Sequence, residues 1–192
     1  MDFRKFLSSK ITEPIIPFLS RTGLTPDIIT WTGLIIVIAA AVMVALNQLF
    51  AGGILVLVAG FCDMLDGALA RYIQKTSKFG AVLDSTFDRI SEAAVLFGLV
   101  YLYGQRSGER AIICLAFLVL LFSFLISYIK ARAEGTGIAC NVGFFTRTER
   151  VLVIAIGLLF KLVLIALVIL AVFSFITVIQ RLVHVYRHTR DT

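Results

Sequence analysis

Long apolar stretches alternate with short charged ones along the whole chain. A helix that crosses the bilayer core needs about 20 mostly apolar residues, and the pattern supplies several. The first runs from about Ile28 to Leu46, with Pro26 and Asp27 at its start, where a proline and an N-cap residue belong. The second runs from about Gly52 to Tyr72, the third from about Phe79 to Tyr103, and the fourth from about Arg110 to Ala131. The stretch from Thr146 to Arg190 contains no Gly-Pro break. As one helix it would be about 67 Å long, against a hydrocarbon core of about 30 Å. A break near Gly157–Lys161 divides it and gives six spans. Ahead of them, Phe3, Phe6, Leu7, Ile11, Ile15 and Phe18 recur at roughly helical spacing among Arg4, Lys5 and Lys10. That pattern suits a helix lying in the membrane interface. The expectation is an all-α membrane protein of one domain, residues 1–192. An interfacial amphipathic segment (1–25) precedes a bundle of six transmembrane helices (26–190).

Composition supports lipid as the solvent. Of 192 residues, 59% are hydrophobic and 16% charged, where a soluble domain has about 25% charged residues. The net charge of +6 invites a nucleic-acid reading, but no basic run interleaved with aromatics supports one. The positions of the cations explain the charge better. Six spans put Arg4, Lys5, Lys10, Arg21, Arg71, Lys75, Lys78, Arg89, Lys130, Arg132, Arg147, Arg150, Arg181, Arg187 and Arg190 on one side, and only Arg106, Arg110 and Lys161 on the other. By the positive-inside rule both termini face the cytoplasm, in a multi-pass protein of the cell membrane. The N-terminus does not read as a signal peptide, because Glu13, Pro14 and Pro17 interrupt its apolar stretch. Cys62, Cys114 and Cys140 share no metal-ligand spacing and suggest no disulfide framework.

Four carboxylates cluster at the junction of the second and third spans. Asp63 and Asp66 are three residues apart, and Asp84 and Asp88 are four apart. Each pair therefore shares a helical face. The short link around Tyr72 to Lys78 predicts that the two helices are antiparallel neighbours, with the pairs facing each other. Like charges in one pocket repel, so each acid needs a raised pKa or a cation partner. Salt bridges to Arg71, Lys75, Lys78 and Arg89 would answer for two or three of them. They leave unexplained the small residues Gly67, Ala70 and Gly80 on the same walls, which let a ligand come close. Hard divalent ions, Mg²⁺ or Mn²⁺, take oxygen ligands of this kind. A pair of them clamps the entering and leaving oxygens of a phosphoryl displacement.

From Asp63 to Asp88 the chain reads D-M-L-D-G-A-L-A-R, eight residues, then G-A-V-L-D-S-T-F-D. This resembles the signature of the CDP-alcohol phosphotransferase family at every defining position, and the likeness extends along the whole chain. The resemblance implies six spans, with the signature on the second and third. It implies that Asp63, Asp66, Asp84 and Asp88 are ligands of two divalent ions, and that Asp88 is also the base that deprotonates the acceptor hydroxyl. Gly67 and Gly80 resemble the glycines beside the cytidine nucleotide, Arg71 would meet its phosphates, and Pro26, Asp27 and Thr30 look like further nucleotide contacts. A CDP-activated lipid such as CDP-diacylglycerol, membrane lipids and a second copy in a homodimer are the expected partners; nucleic acid is not.

The acceptor must be read elsewhere. The loop expected after the fourth span reads Ser127-Tyr128-Ile129-Lys130-Ala131-Arg132-Ala133-Glu134-Gly135, and further on stand Arg147, Thr148, Glu149 and Arg150. These resemble the S-Y-x-K-A-R-A-E-G and E-R stretches of bacterial phosphatidylinositol-phosphate synthases and their archaeal counterparts, whose acceptor is inositol phosphate. This chain has Thr148 where A-E-R is common. Arginine forks match phosphate oxygens, so Ser127, Lys130, Arg132, Arg147, Arg150 and Arg181 are the expected acceptor contacts. Arg187 and Arg190 read as headgroup anchors. Two alternatives stand beside this reading. One is the same chemistry on glycerol-3-phosphate or another small alcohol. The other is a divalent-cation channel or transporter with the aspartates as a selectivity ring; the acids' position near one end of the spans speaks against it.

Overall fold

The computed structural model describes residues 14–75 and 77–190. Phe3, Phe6, Leu7 and Ile11 of the expected interfacial helix lie outside them. Seven helices follow: α1 (Ile16–Arg21), α2 (Pro26–Ala45), α3 (Leu49–Tyr72), α4 (Lys78–Gly104), α5 (Arg110–Gly135), α6 (Arg147–Leu159) and α7 (Val163–Arg190). No strand occurs among the described residues.

The helix ends have local causes. Pro26 opens α2 and Asp27 lies in its first turn, but the N-cap is Thr25, not Asp27. Ser77 caps α4 by accepting a hydrogen bond from the Gly80 N–H at 2.8 Å. Thr146 and Glu149 form a capping box at the start of α6, with the Thr146 N–H donating to the Glu149 carboxylate at 2.7 Å. Three C-termini share one closure. Asn47, Gln74 and Lys161 adopt left-handed backbone with φ of 63°, 54° and 57°. The next N–H then turns back to a carbonyl in the last turn: Gln48 to Met43, Lys75 to Ala70, Leu162 to Gly157. The Lys161 turn supplies the break expected near Gly157–Lys161. The fourth stretch, by contrast, does not end at Ala131. It stays helical to Gly135, so the segment expected as a loop, Ser127 to Gly135, is the last turns of α5.

The helices close into a ring in the order α2, α3, α6, α7, α5, α4, each packed on the next and α4 returning to α2. The core lies inside it: Val37, Ala40 and Val44 of α2 meet Val56 and Ala59 of α3, Leu96 and Leu99 of α4, Val119 of α5, Ala155 and Leu158 of α6, and Leu167 and Leu170 of α7. Outside, Ile35, Phe97, Phe117 and Phe160 are exposed, as expected of surfaces that meet lipid. The expected adjacency of α3 and α4 is corrected here. Among the described residues they make little close backbone contact; α2 stands between them and packs on both. Gly33 of α2 lies against Cys62 of α3, and Trp31 meets the edge of Phe87 of α4 at 4.8 Å between ring centres. α1 packs on α3, with Ile16 buried beside Leu65, Ala68 and Leu69.

Among the described residues, four helices are long and apolar enough to cross a membrane: Pro26–Ala45, Leu49–Tyr72, Arg110–Gly135, and α7 over Val163–Thr189. α4 has 27 residues, but its first half carries Asp84, Asp88, Arg89 and Glu92. α6 has 13 residues, about 20 Å at 1.5 Å per residue.

Helix contacts without side chains between them should be intolerant of growth. A methyl group on Gly98 would lie 2.5 Å from the Ala41 carbonyl oxygen, whereas one on Gly104 would meet nothing within 4 Å. We expect Gly98→Ala to part α2 from α4 and to destabilise the protein by about 1–3 kcal/mol, read as a lower unfolding midpoint in detergent. Gly104→Ala should leave the midpoint unchanged. Equal midpoints for the two variants would show that the ring is not close-packed at this crossing.

Candidate active site

The acids come together where α3 and α4 diverge around the start of α2. Asp63, Asp66 and Asp84 each offer a carboxylate oxygen, and the three oxygens lie within 4.8 Å of one another. Asp66 is buried, at 5% exposure. The Thr30 hydroxyl donates to it at 2.6 Å, which orients the carboxylate as outer hydrogen bonds orient metal ligands. Thr30, expected as a nucleotide contact, is thus tied to the acid cluster itself.

Asp88 stands slightly apart, on the same face of α4 one turn beyond Asp84. Its partner is Arg147, whose Nη1 lies 2.7 Å from Asp88 Oδ1 and also pairs with Asp63. Arg89 adds a looser pair with Asp88 at 3.4 Å. The cations that meet the acids are therefore only partly those expected. Of Arg71, Lys75, Lys78 and Arg89, Arg89 alone makes an ion pair among the described residues, and the main contribution comes from α6. Two guanidiniums against four carboxylates leave excess negative charge beside Asp66 and Asp84. All the donors are hard oxygens, the set that suits Mg²⁺ or Mn²⁺.

All six expected nucleotide contacts meet in one place. Pro26, Asp27, Thr30, Gly67, Arg71 and Gly80 line an open cleft, together with Asp66, Asp84, Ala70, Lys75, Ser77 and Ala81. A Cβ on Gly67 would approach only the Arg71 guanidinium, at 3.4 Å, and one on Gly80 only the Ser77 hydroxyl, at 2.9 Å. Both glycines thus keep the cleft wall low. Arg71 and Lys75 give it two exposed cations, as an anionic ligand requires. Lys75 was not among the expected contacts; the left-handed turn at Gln74, beyond the end of α3, brings it to the cleft.

The expected acceptor contacts do not form a single pocket. Arg147 reaches the acids. Arg150 is buried and forks onto Glu92, Nε to Oε1 at 2.9 Å and Nη2 to Oε2 at 3.2 Å. Arg181 is also buried; its Nε donates to the Val142 carbonyl at 3.0 Å and its Nη1 to that of Ile126, tying the loop before α6 to α5. Lys130 pairs along its own helix with Glu134 at 3.7 Å. Arg132 is exposed and Ser127 half-buried on the last turns of α5. Two polar residues that the sequence did not single out, Glu92 and Ser123, join this region: the Ser123 hydroxyl donates to Glu92 Oε2.

This geometry makes a binding prediction separate from any turnover. Asp84→Asn removes one carboxylate from the cluster of three and should weaken Mn²⁺ binding by about tenfold or more, the scale of losing a charged ligand's interaction. Titration of the purified protein followed by electron paramagnetic resonance measures it, with helical content checked by circular dichroism. Unaltered affinity in a folded variant would remove Asp84 from the ligand set.

Residues 23–183 match the CDP-alcohol phosphatidyltransferase family. The chain is 41% identical over 150 residues to the phosphatidylinositol phosphate synthase of Mycobacterium tuberculosis (strain H37Rv), covering 78% of this chain and 69% of that protein. The crystal structure of the M. tuberculosis synthase with CDP-DAG bound superposes with a TM-score of 0.82 at 39% identity, over 92% of this chain and 94% of that one. Its structure in complex with manganese and citrate gives the same TM-score and identity, over 91% and 88%. The signature residues, the oxygen-rich cluster and these likenesses agree: the chain belongs to the CDP-alcohol phosphatidyltransferase family.

Proposed function

We propose that the chain transfers the phosphatidyl group of CDP-diacylglycerol to inositol phosphate, giving phosphatidylinositol phosphate and CMP. The observation that carries the proposal is the juxtaposition of three carboxylates within 4.8 Å of one another with the cleft lined by Pro26, Asp27, Thr30, Gly67, Arg71 and Gly80. Similarity to phosphatidylinositol phosphate synthases supports the choice of acceptor.

In this reading the cytidine nucleotide sits in the cleft, with Arg71 and Lys75 on its phosphates. A groove lined by Leu57, Phe61, Met64 and Leu152 leads away from Asp63 and Arg147 and offers an acyl chain an apolar path. Asp63, Asp66, Asp84 and Asp88 would hold two divalent ions, which neutralise charge on the diphosphate and make CMP a better leaving group. Thr30 keeps Asp66 oriented. Asp88 takes the proton of the acceptor hydroxyl as its oxygen attacks the lipid-bearing phosphorus. The bond from that phosphorus to the oxygen of CMP breaks, and CMP leaves with the electron pair. Arg147 is placed to turn from the carboxylates to the phosphate of the acceptor, and Arg132 and Lys130, at the end of α5, supply further positive charge.

The same proposal covers the membrane arrangement: six crossings, with α4 and α6 completing the ring, the site and both termini on the cytoplasmic face of the cell membrane, and a homodimer as the working form. Glycerol-3-phosphate as acceptor is the nearest alternative. A cation channel is disfavoured, because the ring interior below the acids is lined by apolar side chains, Val37, Val56, Leu96 and Leu170 among them, which offer a cation no ligand.

Purified protein supplied with CDP-diacylglycerol and Mn²⁺ should release CMP with inositol phosphate, and none in excess chelator. Free inositol should be at least about tenfold poorer by kcat/KM, because it forgoes the charge-assisted hydrogen bonds of the phosphate, each contributing roughly 1.5–3 kcal/mol. Clear preference for glycerol-3-phosphate would keep the reaction class and change the product. Asp88→Asn should lower kcat by about 100-fold or more, within the range for a general base, with CDP-lipid binding largely retained. Arg132→Gln should raise the inositol phosphate KM and spare that of CDP-diacylglycerol; a normal acceptor KM would take Arg132 out of the acceptor site.

A further inference from the structure

Glu92 lies four residues beyond Asp88 on α4, and Arg150 three residues beyond Arg147 on α6. These spacings put each pair on one helical face, so α4 and α6 are joined by two successive ionic rungs. The upper is Asp88–Arg147 at 2.7 Å. The lower is the Glu92–Arg150 fork, at 2.9 and 3.2 Å. Ser123 of α5 donates to the same carboxylate, so Glu92 binds three helices together. The lower rung is deeply placed: Arg150 is 5% exposed and Ser123 2%. Apolar side chains of similar volume would stabilise such a place as well as a buried ion pair does. Stability alone therefore gives no reason for it.

Geometry supplies one. α6 is short, at 13 residues, and Arg147 is in its first turn. Successive residues of a helix point about 100° apart, so a small rotation of α6 would carry Arg147 off Asp63 and Asp88. The fork onto Glu92 fixes that rotation one turn below. It also fixes the Arg150 guanidinium, whose Nη1 is buried without a hydrogen-bond partner and which lines the inner cavity shared with Asp88, Ser91 and Arg147.

We infer that Glu92, secured by Ser123, is a positioning residue for the acceptor side of the reaction. It sets the two arginines of α6 that face the site, and it touches no substrate itself. The inference rests on the proposed use of a phosphomonoester acceptor.

Glu92→Gln keeps the shape but loses the charge and one arm of the fork; Ser123→Ala removes only the third contact. Glu92→Gln should raise the KM for inositol phosphate by about fivefold or more, as expected for a lost charge-assisted contact. Ser123→Ala should shift it less, in the same direction. In both, the KM for CDP-diacylglycerol and the Mn²⁺ affinity should stay near wild type. A purely structural ion pair would instead lower the unfolding midpoint and the active fraction, leaving acceptor KM untouched, and that result overturns the inference. An equal rise in both KM values overturns it too. Should Glu92→Gln fail to fold, Ser123→Ala decides: an unchanged acceptor KM there is a refutation. If wild type prefers glycerol-3-phosphate, the proposed acceptor is wrong while the same comparison, made on that phosphomonoester, still tests Glu92. A wild type indifferent to the acceptor's phosphate overturns both.

Discussion

Four carboxylates at one end of an apolar bundle impose a constraint that the rest of the structure answers. Charge in surroundings of low dielectric is costly unless it is matched, and neither α3 nor α4 carries enough basic residues on the facing side to match it. The structure meets the demand from elsewhere in the chain. Arg147 arrives from α6, more than fifty residues away in sequence, and Arg89 lends a weaker contact. That is still half the charge required. Bound cations can supply the rest, and the carboxylate cluster offers hard oxygens within 4.8 Å of one another to hold them.

The same constraint shapes the ring. Were α3 and α4 packed side by side, as their short connection suggests, their acids would be pressed together with no room for counter-charge or substrate. Inserting α2 between them keeps the helices apart while the carboxylates still converge. Small residues make the insertion possible, with Gly33 on Cys62 and Gly98 on the Ala41 carbonyl. Because α2 touches both walls, it also delivers Thr30 to Asp66 and places Pro26 and Asp27 at the lip of the cleft. One helix thus sets the spacing of the acids, orients one of them and forms part of the nucleotide surface.

Much of this was legible in the sequence wherever the signal was local. The apolar stretches located six of the helices, and Asp66, Asp84 and the glycines of the signature, with Pro26, Asp27 and Thr30, did meet at one cleft. What was not legible depended on contacts between distant segments. The helical end of α5 was read as a loop because Lys130, Arg132 and Glu134 are charged, although such residues suit a helix well when its end leaves the bilayer. That Arg150 and Arg181, expected among the acceptor contacts, have the protein partners Glu92 and two backbone carbonyls was not legible either, because those partners lie far away in sequence. Glu92 itself could have been found, since it continues the face of Asp84 and Asp88 by one more turn. It was hidden by having no partner nearby in sequence.

The arginines of α6 show how the two kinds of contact divide the work. Arg150 is enclosed, forked and shared by three helices, so its pairing is part of the fold. Arg147 holds Asp63 of the carboxylate cluster and Asp88 beside it and is more exposed than Arg150. In the proposed reaction, a cation held among Asp63, Asp66 and Asp84 would weaken the hold of Asp63 on Arg147, since the same carboxylate oxygens cannot serve both equally. A guanidinium released there faces the inner cavity that it lines with Asp88 and the groove that it lines with Asp63. On the proposed reading the fixed rung makes the labile one useful: with α6 locked through Glu92, Arg147 would exchange a carboxylate for a phosphate by moving its side chain alone, and the helix that carries it would not need to move.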